Sequence, residues 1–134
     1  ITMTSKVTYL GELRTSSIHI QSGAELLSDA PKDNHGKGEA FSPTDTVANA
    51  LASCMFSIMG IKAREMGVNL EGSTADVTKI MQPSPRKIAK IEVVFQMKSD
   101  ADEKQREILQ RVAKTCPVHL SLHPDIVQDV TFNW

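Results

Sequence analysis

The stretch that decides the fold is residues 42–54, which have the sequence SPTDTVANALASC. It opens with a hydroxyl residue suited to an N-cap, then Pro43 at the first helical position and Asp45 at the third, a strong helix start. Gly67 supplies a stop, because glycine readily adopts the left-handed conformation that ends helices. The sequence therefore predicts a long helix over residues 43–66.

The middle of this helix is apolar on nearly every side. The apolar residues are Val47, Ala50, Leu51, Cys54, Met55, Ile58, Met59 and Ile61. A helix that is hydrophobic all round is buried all round, and one small sheet cannot cover it. We therefore expect a second subunit to cover the helix, with small residues such as Ala48 and Gly60 allowing close approach.

Hydrophobic periodicity predicts the remaining elements. Alternation of apolar and polar residues predicts strands over residues 6–10, 17–21, 73–81, 87–98 and 127–132. Helices are expected over residues 101–113 and from Cys116 to about Leu122, and residues 28–41 form a polar loop. The order βββ-α-ββ-α-α-β, with strands around a central helix, indicates a single α+β domain spanning residues 1–134.

Composition excludes several classes of function. The 134 residues carry 15 basic and 16 acidic side chains, one tryptophan, one tyrosine and four phenylalanines. Such a chain lacks the basic surface and the stacking aromatics of a nucleic-acid-binding protein. The longest charge-free run around Cys54, residues 46–61, is shorter than the ~20 residues of a membrane span. The sequence shows no pattern of a secretory signal, so we expect a soluble cytoplasmic protein without a membrane partner.

The chain contains two cysteines, Cys54 within the long helix and Cys116 at the predicted start of a later one. Helix starts lower the pKa of a thiol, and the thiolate is the nucleophile, so a redox or thiol-peroxidase function is the first hypothesis. Cys54 can also be a small hydrophobe of the core. A structural disulfide is the weaker alternative, because such bonds are rare inside cells.

A metal site is another alternative. Cys116, His119 and His123 have the spacing C-x2-H-x3-H on a short helical stretch, and this set suits zinc. The set has no fourth ligand nearby, and Pro124 turns the chain at its end. We therefore predict no metal and no cofactor.

The chain resembles the OsmC/Ohr family of thiol-dependent peroxidases. The resemblance lies in residues 42–45 followed by residues 50–54, and in Cys116-Pro117-Val118 later in the chain. The element order matches the family over the whole chain. The resemblance implies an OsmC-like α+β fold, with an antiparallel sheet wrapped around the central helix in an intertwined homodimer.

The resemblance also implies a two-cysteine peroxidase active in the response to oxidative stress. Cys54 would attack an organic hydroperoxide and become a sulfenic acid, and Cys116 would resolve it as a disulfide. A dithiol reductant would then reopen that bond by thiol exchange.

Family members activate the thiolate and orient the peroxide with an arginine. The best candidate is Arg14, which follows residues 9–12, a segment that resembles the family's first hairpin. The alternative is that Arg14 is an ordinary exposed strand residue. A second branch of the family places its arginine in the loop before the long helix, but that loop offers only His35 and Lys37.

This chain differs from the family at the carboxylate that holds the arginine. Peroxidase members carry glutamate directly after the proline of the helix start, but this chain has Thr44 there and Asp45 one place later. Asp45 is the candidate catalytic carboxylate, and it also suits a helix N-terminus. The departure favours a non-enzymatic alternative, an OsmC-like dimer that binds a small apolar or thiol-reactive ligand without turnover. The presence of both cysteines argues against that alternative.

An apolar group surrounds Cys54 at helical spacings, namely Met55, Phe56, Met59 and Met66. Flexible thioethers suit an adaptable cleft that prefers organic peroxides to hydrogen peroxide. The alternative for each of these residues is packing in the core or at a dimer interface.

Overall fold

The computed structural model describes residues 2–134, and its order of strands and helices confirms the predicted α+β class. The strands are β1 (Ser5–Gly11), β2 (Arg14–His19), β3 (Glu25–Asp29), β4 (Thr74–Pro83), β5 (Arg86–Gln96) and β6 (Val127–Asn133). The helices are α1 (Pro43–Met66), α2 (Glu103–Ala113) and α3 (Pro117–Ser121), with a 3-10 turn at Lys32–Asn34. The chain divides into two compact units, residues up to Thr46 and residues 47–134.

The first unit contains the antiparallel sheet β1-β2-β3. Glu12 and Leu13 form the tight turn between β1 and β2, with φ of 56° and 61°. This left-handed region usually takes glycine or asparagine, so the turn has no clear sequence signal. The prediction of a strand over residues 17–21 was therefore wrong in position, because β2 begins directly after the turn, at Arg14.

The second unit contains the sheet β4-β5-β6. β4 and β5 form an antiparallel pair, as predicted, whereas β5 and β6 run parallel. The parallel pairing follows from the connection, because α2 and α3 carry the chain back to the end of the sheet at which β5 starts. The resulting sheet is mixed, while the sheet of the first unit is antiparallel throughout.

The core of the second unit lies between α1, β5 and α2. Buried side chains on α1 recur at helical spacing, namely Ala48, Leu51, Ala52, Met55, Met59 and Ala63. They belong to one cluster with Ile91, Val93 and Phe95 of β5 and Leu109 of α2. Val47 and Ile61, on other sides of α1, are exposed. A single chain therefore buries one face of the helix, and cover by a second subunit stays a prediction.

The predicted start of α1 is confirmed in position and mechanism. The amide of Asp45 donates to Ser42 Oγ at 3.0 Å, and the amide of Ser42 donates to Asp45 Oδ2 at 3.0 Å. This reciprocal pair is a capping box, which satisfies two amides at the helix end. The helix ends at Met66, before Gly67, whose φ is 70°.

By length and composition α1 meets the criterion for a membrane span, with 24 residues and a mean hydropathy of 1.3. The charge-free run of residues 46–61 is shorter than a membrane span, and the helix meets the criterion because it extends beyond that run at both ends. The central helix of a soluble protein meets the same criterion. One face of α1 is buried against β5, and 33% of its apolar window is buried within the described residues.

Candidate functional site

The structure brings the two cysteines together within the second unit. Cys54 is partly exposed on α1, Cys116 is fully buried, and both are free thiols. Cys54 lies close enough to Cys116 to add to the effect of burial, because hydrogen bonding and charge repulsion from Cys54 also raise the pKa of Cys116. The pair therefore meets a first requirement for reversible disulfide chemistry.

Cys116 is held in place as the N-cap of α3. Its Sγ accepts a hydrogen bond from the amide of His119 at 3.2 Å, and its carbonyl accepts the amide of Leu120 at 3.1 Å. Pro117 occupies the first helical position, where it loses no hydrogen bond. Sulfur here takes the place of the hydroxyl or carboxylate oxygen that usually caps a helix.

Burial is the largest influence on the pKa of Cys116, and it raises that pKa. The hydrogen bond from the His119 amide lowers the pKa, but the effect is smaller. The expectation that the helix start lowers the pKa of Cys116 was therefore wrong, because desolvation disfavours the thiolate more than the helix end favours it. Cys116 remains a protonated thiol near neutral pH.

A second cluster, in the first unit, surrounds Arg14. Arg14 Nε and Nη2 donate to Asp29 Oδ1 and Oδ2 at 2.7 and 2.8 Å, and Nη2 also donates to Glu39 Oε1 at 3.1 Å. Asp29 is fully buried and also accepts the amide of Glu39 at 3.0 Å. Two parallel bonds between a guanidinium and a carboxylate fix the plane of the arginine.

The cluster keeps Arg14 and Asp29 charged. The hydrogen bond from Arg14 lowers the pKa of Asp29, against burial, which raises it. The hydrogen bond to Asp29 in turn raises the pKa of Arg14. Arg14 is thus a fixed cation at the start of β2 and not an ordinary exposed strand residue.

Sequence inspection missed Asp29 and Glu39. Asp29 ends β3 directly opposite Arg14 in the strand pairing, where opposite charges commonly pair. The pairing of Arg14 with Asp29 can be recognised only when the register of β2 and β3 is known. A strand predicted over residues 17–21 does not include Arg14, so the pairing could not be recognised. Asp45, the carboxylate taken from the sequence, contacts the Ser42 amide, and its catalytic role stays a prediction.

The proposed zinc ligands do not assemble. His119 Nδ1 lies 2.5 Å from Gln128 Oε1, and His123 Nδ1 accepts the amide of Asp125 at 3.0 Å. Within residues 2–134, no group of three potential ligand side chains is placed to hold a metal ion. The spacing C-x2-H-x3-H therefore does not bring these three side chains together in this structure.

The apolar residues near Cys54 divide into two sets. Met55 and Met59 are fully buried in the core of the second unit, which confirms the packing alternative for both. Phe56 and Met66 are partly buried, and Phe56 meets Phe95 edge to face at 4.8 Å. Phe56 and Met66 thus keep part of their side-chain surface accessible.

Comparison with known proteins gives a consistent family and fold. A family model described as OsmC-like protein matches residues 36–131. A Psychrobacter arcticus protein named for osmotic stress induction and a detoxification response is 51% identical, with a TM-score of 0.95, over 99% of this chain and 97% of that one. No curated protein matches this chain.

Two more distant structures share the fold. An organic hydroperoxide resistance protein OsmC from Legionella pneumophila is 18% identical with a TM-score of 0.74, over 100% of this chain and 98% of that one. A Vibrio cholerae protein named for organic hydroperoxide resistance, with captopril bound in one active site, is 20% identical with a TM-score of 0.74, over 99% and 93%.

Proposed function

Since this chain belongs to the OsmC/Ohr family, we propose that it is a thiol-dependent peroxidase that reduces organic hydroperoxides through Cys54 and Cys116. The observation that carries the proposal is the neighbouring pair of free thiols, one partly exposed and one buried. Relatives named for organic hydroperoxide resistance support the substrate class.

The difference in exposure supports the proposed division of roles between the two cysteines. Cys54 is accessible to a peroxide, whereas Cys116 has no exposed surface and a raised pKa. The Cys54 thiolate attacks one peroxide oxygen, the O–O bond breaks, and the alkoxide leaves and takes up a proton to become an alcohol. Cys54 is then a sulfenic acid.

The second step forms the disulfide. Cys116 sulfur attacks the sulfenic sulfur of Cys54, the S–S bond forms, and the hydroxyl leaves as water with the proton of the Cys116 thiol. A dithiol reductant then returns both residues to thiols by two exchange reactions. The sulfur atoms supply the redox chemistry, so the proposed cycle needs no cofactor.

Arg14 is the proposed cation that stabilises the Cys54 thiolate and orients the peroxide. Its support is the family resemblance together with the fixed guanidinium in the Asp29 and Glu39 clamp. Asp45 remains the proposed catalytic carboxylate at the start of α1. Family members hold this arginine with a glutamate at the position that Thr44 occupies here. In this proposal, Asp29 of β3 and Glu39 of the loop before α1 hold Arg14 instead.

A homodimer is the proposed assembly. Val7, Tyr9 and Leu26 share one face of the sheet β1-β2-β3 by strand pairing, and all three are exposed. Exposed apolar patches of this kind mark interaction surfaces. Ile61 on α1 is also exposed. Light scattering after size exclusion should report a dimer, and a stable monomer would contradict this assembly.

The function is tested by peroxide consumption with dithiothreitol as reductant. We expect turnover of cumene hydroperoxide that exceeds turnover of hydrogen peroxide at equal concentration. The cytoplasm is the proposed location, because its dithiol systems supply the reductant.

The second candidate is a family member that binds a small apolar or thiol-reactive ligand without turnover. The observation that favours it is Thr44 in place of the family's glutamate. Under this candidate, cumene hydroperoxide is not consumed above the reductant's own rate, while a thiol-reactive probe still labels Cys54.

A further inference from the structure

The imidazole of His119 is fixed by hydrogen bonds, and no step of the proposed cycle involves it. Its Nδ1 lies 2.5 Å from Gln128 Oε1, and Gln128 Nε2 donates to the His119 carbonyl at 3.1 Å. Gln128 lies on β6, where it pairs with Ile91 of β5. One side chain of the sheet therefore holds both the ring and the backbone of His119.

These two bonds fix the tautomer of the neutral ring. The Gln128 amide must present nitrogen to the His119 carbonyl, because a carbonyl only accepts hydrogen bonds. Its oxygen consequently faces Nδ1, which must carry the hydrogen. A neutral imidazole has one hydrogen, so Nε2 of His119 has a lone pair and can accept a proton.

His119 also contacts the sulfur of Cys116 through its backbone. Its amide nitrogen donates to Cys116 Sγ at 3.2 Å, and three covalent bonds separate that nitrogen from the imidazole ring. Cys116 is a buried thiol and must lose its proton when it attacks Cys54. Burial excludes the bulk water that would otherwise accept the proton of the Cys116 thiol. A nearby base is therefore needed to accept it.

We propose that His119 is the general base of disulfide formation, taking the Cys116 proton at Nε2, directly or through one water molecule. In the peroxide cycle, the same proton is then delivered to the hydroxyl that leaves Cys54, and water forms. Gln128 is the positioning residue that keeps the hydrogen of the neutral ring on Nδ1. The assignment rests on the proposed function for its place in the cycle, but the step can be tested without peroxide.

The test uses 5,5′-dithiobis(2-nitrobenzoate) on the whole protein. Cys54 attacks the reagent and releases one thionitrobenzoate, and Cys116 then attacks the mixed disulfide and releases the second. Each release is followed by absorbance in stopped flow. We expect His119→Gln to slow the second release about 100-fold, within the range of general-base effects, and to leave the first unchanged.

Chemical rescue separates base catalysis from a structural role. In His119→Ala, added imidazole should restore much of the second rate, because the free base replaces the missing ring. Gln128→Ala should slow the second release less than His119→Gln does. An unchanged second rate in His119→Gln would overturn the proposal, as would slowing in His119→Ala that imidazole does not relieve.

His123→Gln is the matched control. His123 lies in the same segment, its side chain is 65% exposed, and its Nδ1 accepts the Asp125 amide. Both releases should keep the wild-type rate in this variant, and slowing equal to that of His119→Gln would contradict a specific role. Circular dichroism verifies that each variant is folded.

Sulfenic acid trapping distinguishes this proposal from the proposed function. Reaction of the Cys116→Ser variant with cumene hydroperoxide in the presence of dimedone reports the first step alone, because no resolving thiol competes for the sulfenic acid. Absence of the dimedone adduct would contradict the peroxidase, while the thionitrobenzoate rates still decide the role of His119. Formation of the adduct with unaltered rates in His119→Gln would retain the peroxidase and remove His119.

Discussion

The thiol pair and the arginine cluster are two polar groups stabilised by opposite physical effects. Burial keeps Cys116 neutral by raising its pKa, whereas ion pairing keeps Asp29 charged although it is equally buried. The difference is the partner, because a guanidinium fork compensates desolvation and a neighbouring thiol does not. Of these two buried groups, the charged one is the group that a cation contacts.

The largest expected effect tests the thiol pair. Cys54→Ser removes the nucleophile and should lower peroxide consumption on the order of 1,000-fold or more. Cys116→Ser should permit one turnover and then leave Cys54 as a sulfenic acid or a higher oxide, measured by intact mass. If Cys116→Ser cycles normally with dithiothreitol, the resolving role of Cys116 is wrong.

The next effect tests the arginine cluster. Asp29→Asn should release the guanidinium of Arg14 and lower kcat/KM for cumene hydroperoxide about 100-fold, because small displacements of a positioned group are costly. Arg14→Ala should do the same and slow alkylation of Cys54 by iodoacetamide near neutral pH. Glu12→Gln, an exposed carboxylate in the adjacent turn, is the control and should keep the wild-type rate.

Two outcomes would contradict the assigned role of this cluster. An unchanged alkylation rate in Arg14→Ala would remove Arg14 from the site. A loss of activity in Arg14→Ala without any loss in Asp29→Asn would show that the carboxylate does not position the arginine.

The helix and the clamp illustrate what can be predicted from sequence. The start and end of α1 follow from local chemistry, since the cap, proline and glycine signals lie within a few residues of the ends. The pairing of Cys54 with Cys116 was expected from the family resemblance alone. The Arg14–Asp29 clamp depends on strand register, which a turn with non-glycine residues at positive φ conceals. The pKa direction of Cys116 was missed because it depends on tertiary burial.

A third prediction concerns the packing that holds the thiol pair. Phe95 is fully buried and contacts both Phe56 and Phe132, at 4.8 and 4.9 Å between ring centres. Phe95→Ala should lower the free energy of unfolding by about 3–5 kcal/mol in urea denaturation. Leu120→Ala, at an exposed position on α3, should change it by less than about 0.5 kcal/mol. A similar loss in both variants would contradict the position of the core.

The smallest effect is on acid stability. The pKa of Asp29 is lowered in the folded protein, so its contribution is present above the ordinary aspartate pKa of about 4. The contribution is lost as pH falls through the lower folded value. The difference in Tm between wild type and Asp29→Asn should be constant from neutral pH to about pH 5 and shrink below about pH 4. A difference independent of pH down to pH 2.5 would contradict an ionised, paired Asp29.

The central claim is that Cys54 and Cys116 form a peroxide-driven redox couple. The most direct measurement is intact mass with thiol counting, before and after one equivalent of cumene hydroperoxide without reductant. We predict rapid loss of both thiols and a mass decrease of two hydrogen atoms, which is the signature of the Cys54–Cys116 disulfide. Two thiols that survive at unchanged mass would contradict the peroxidase and favour ligand binding without turnover.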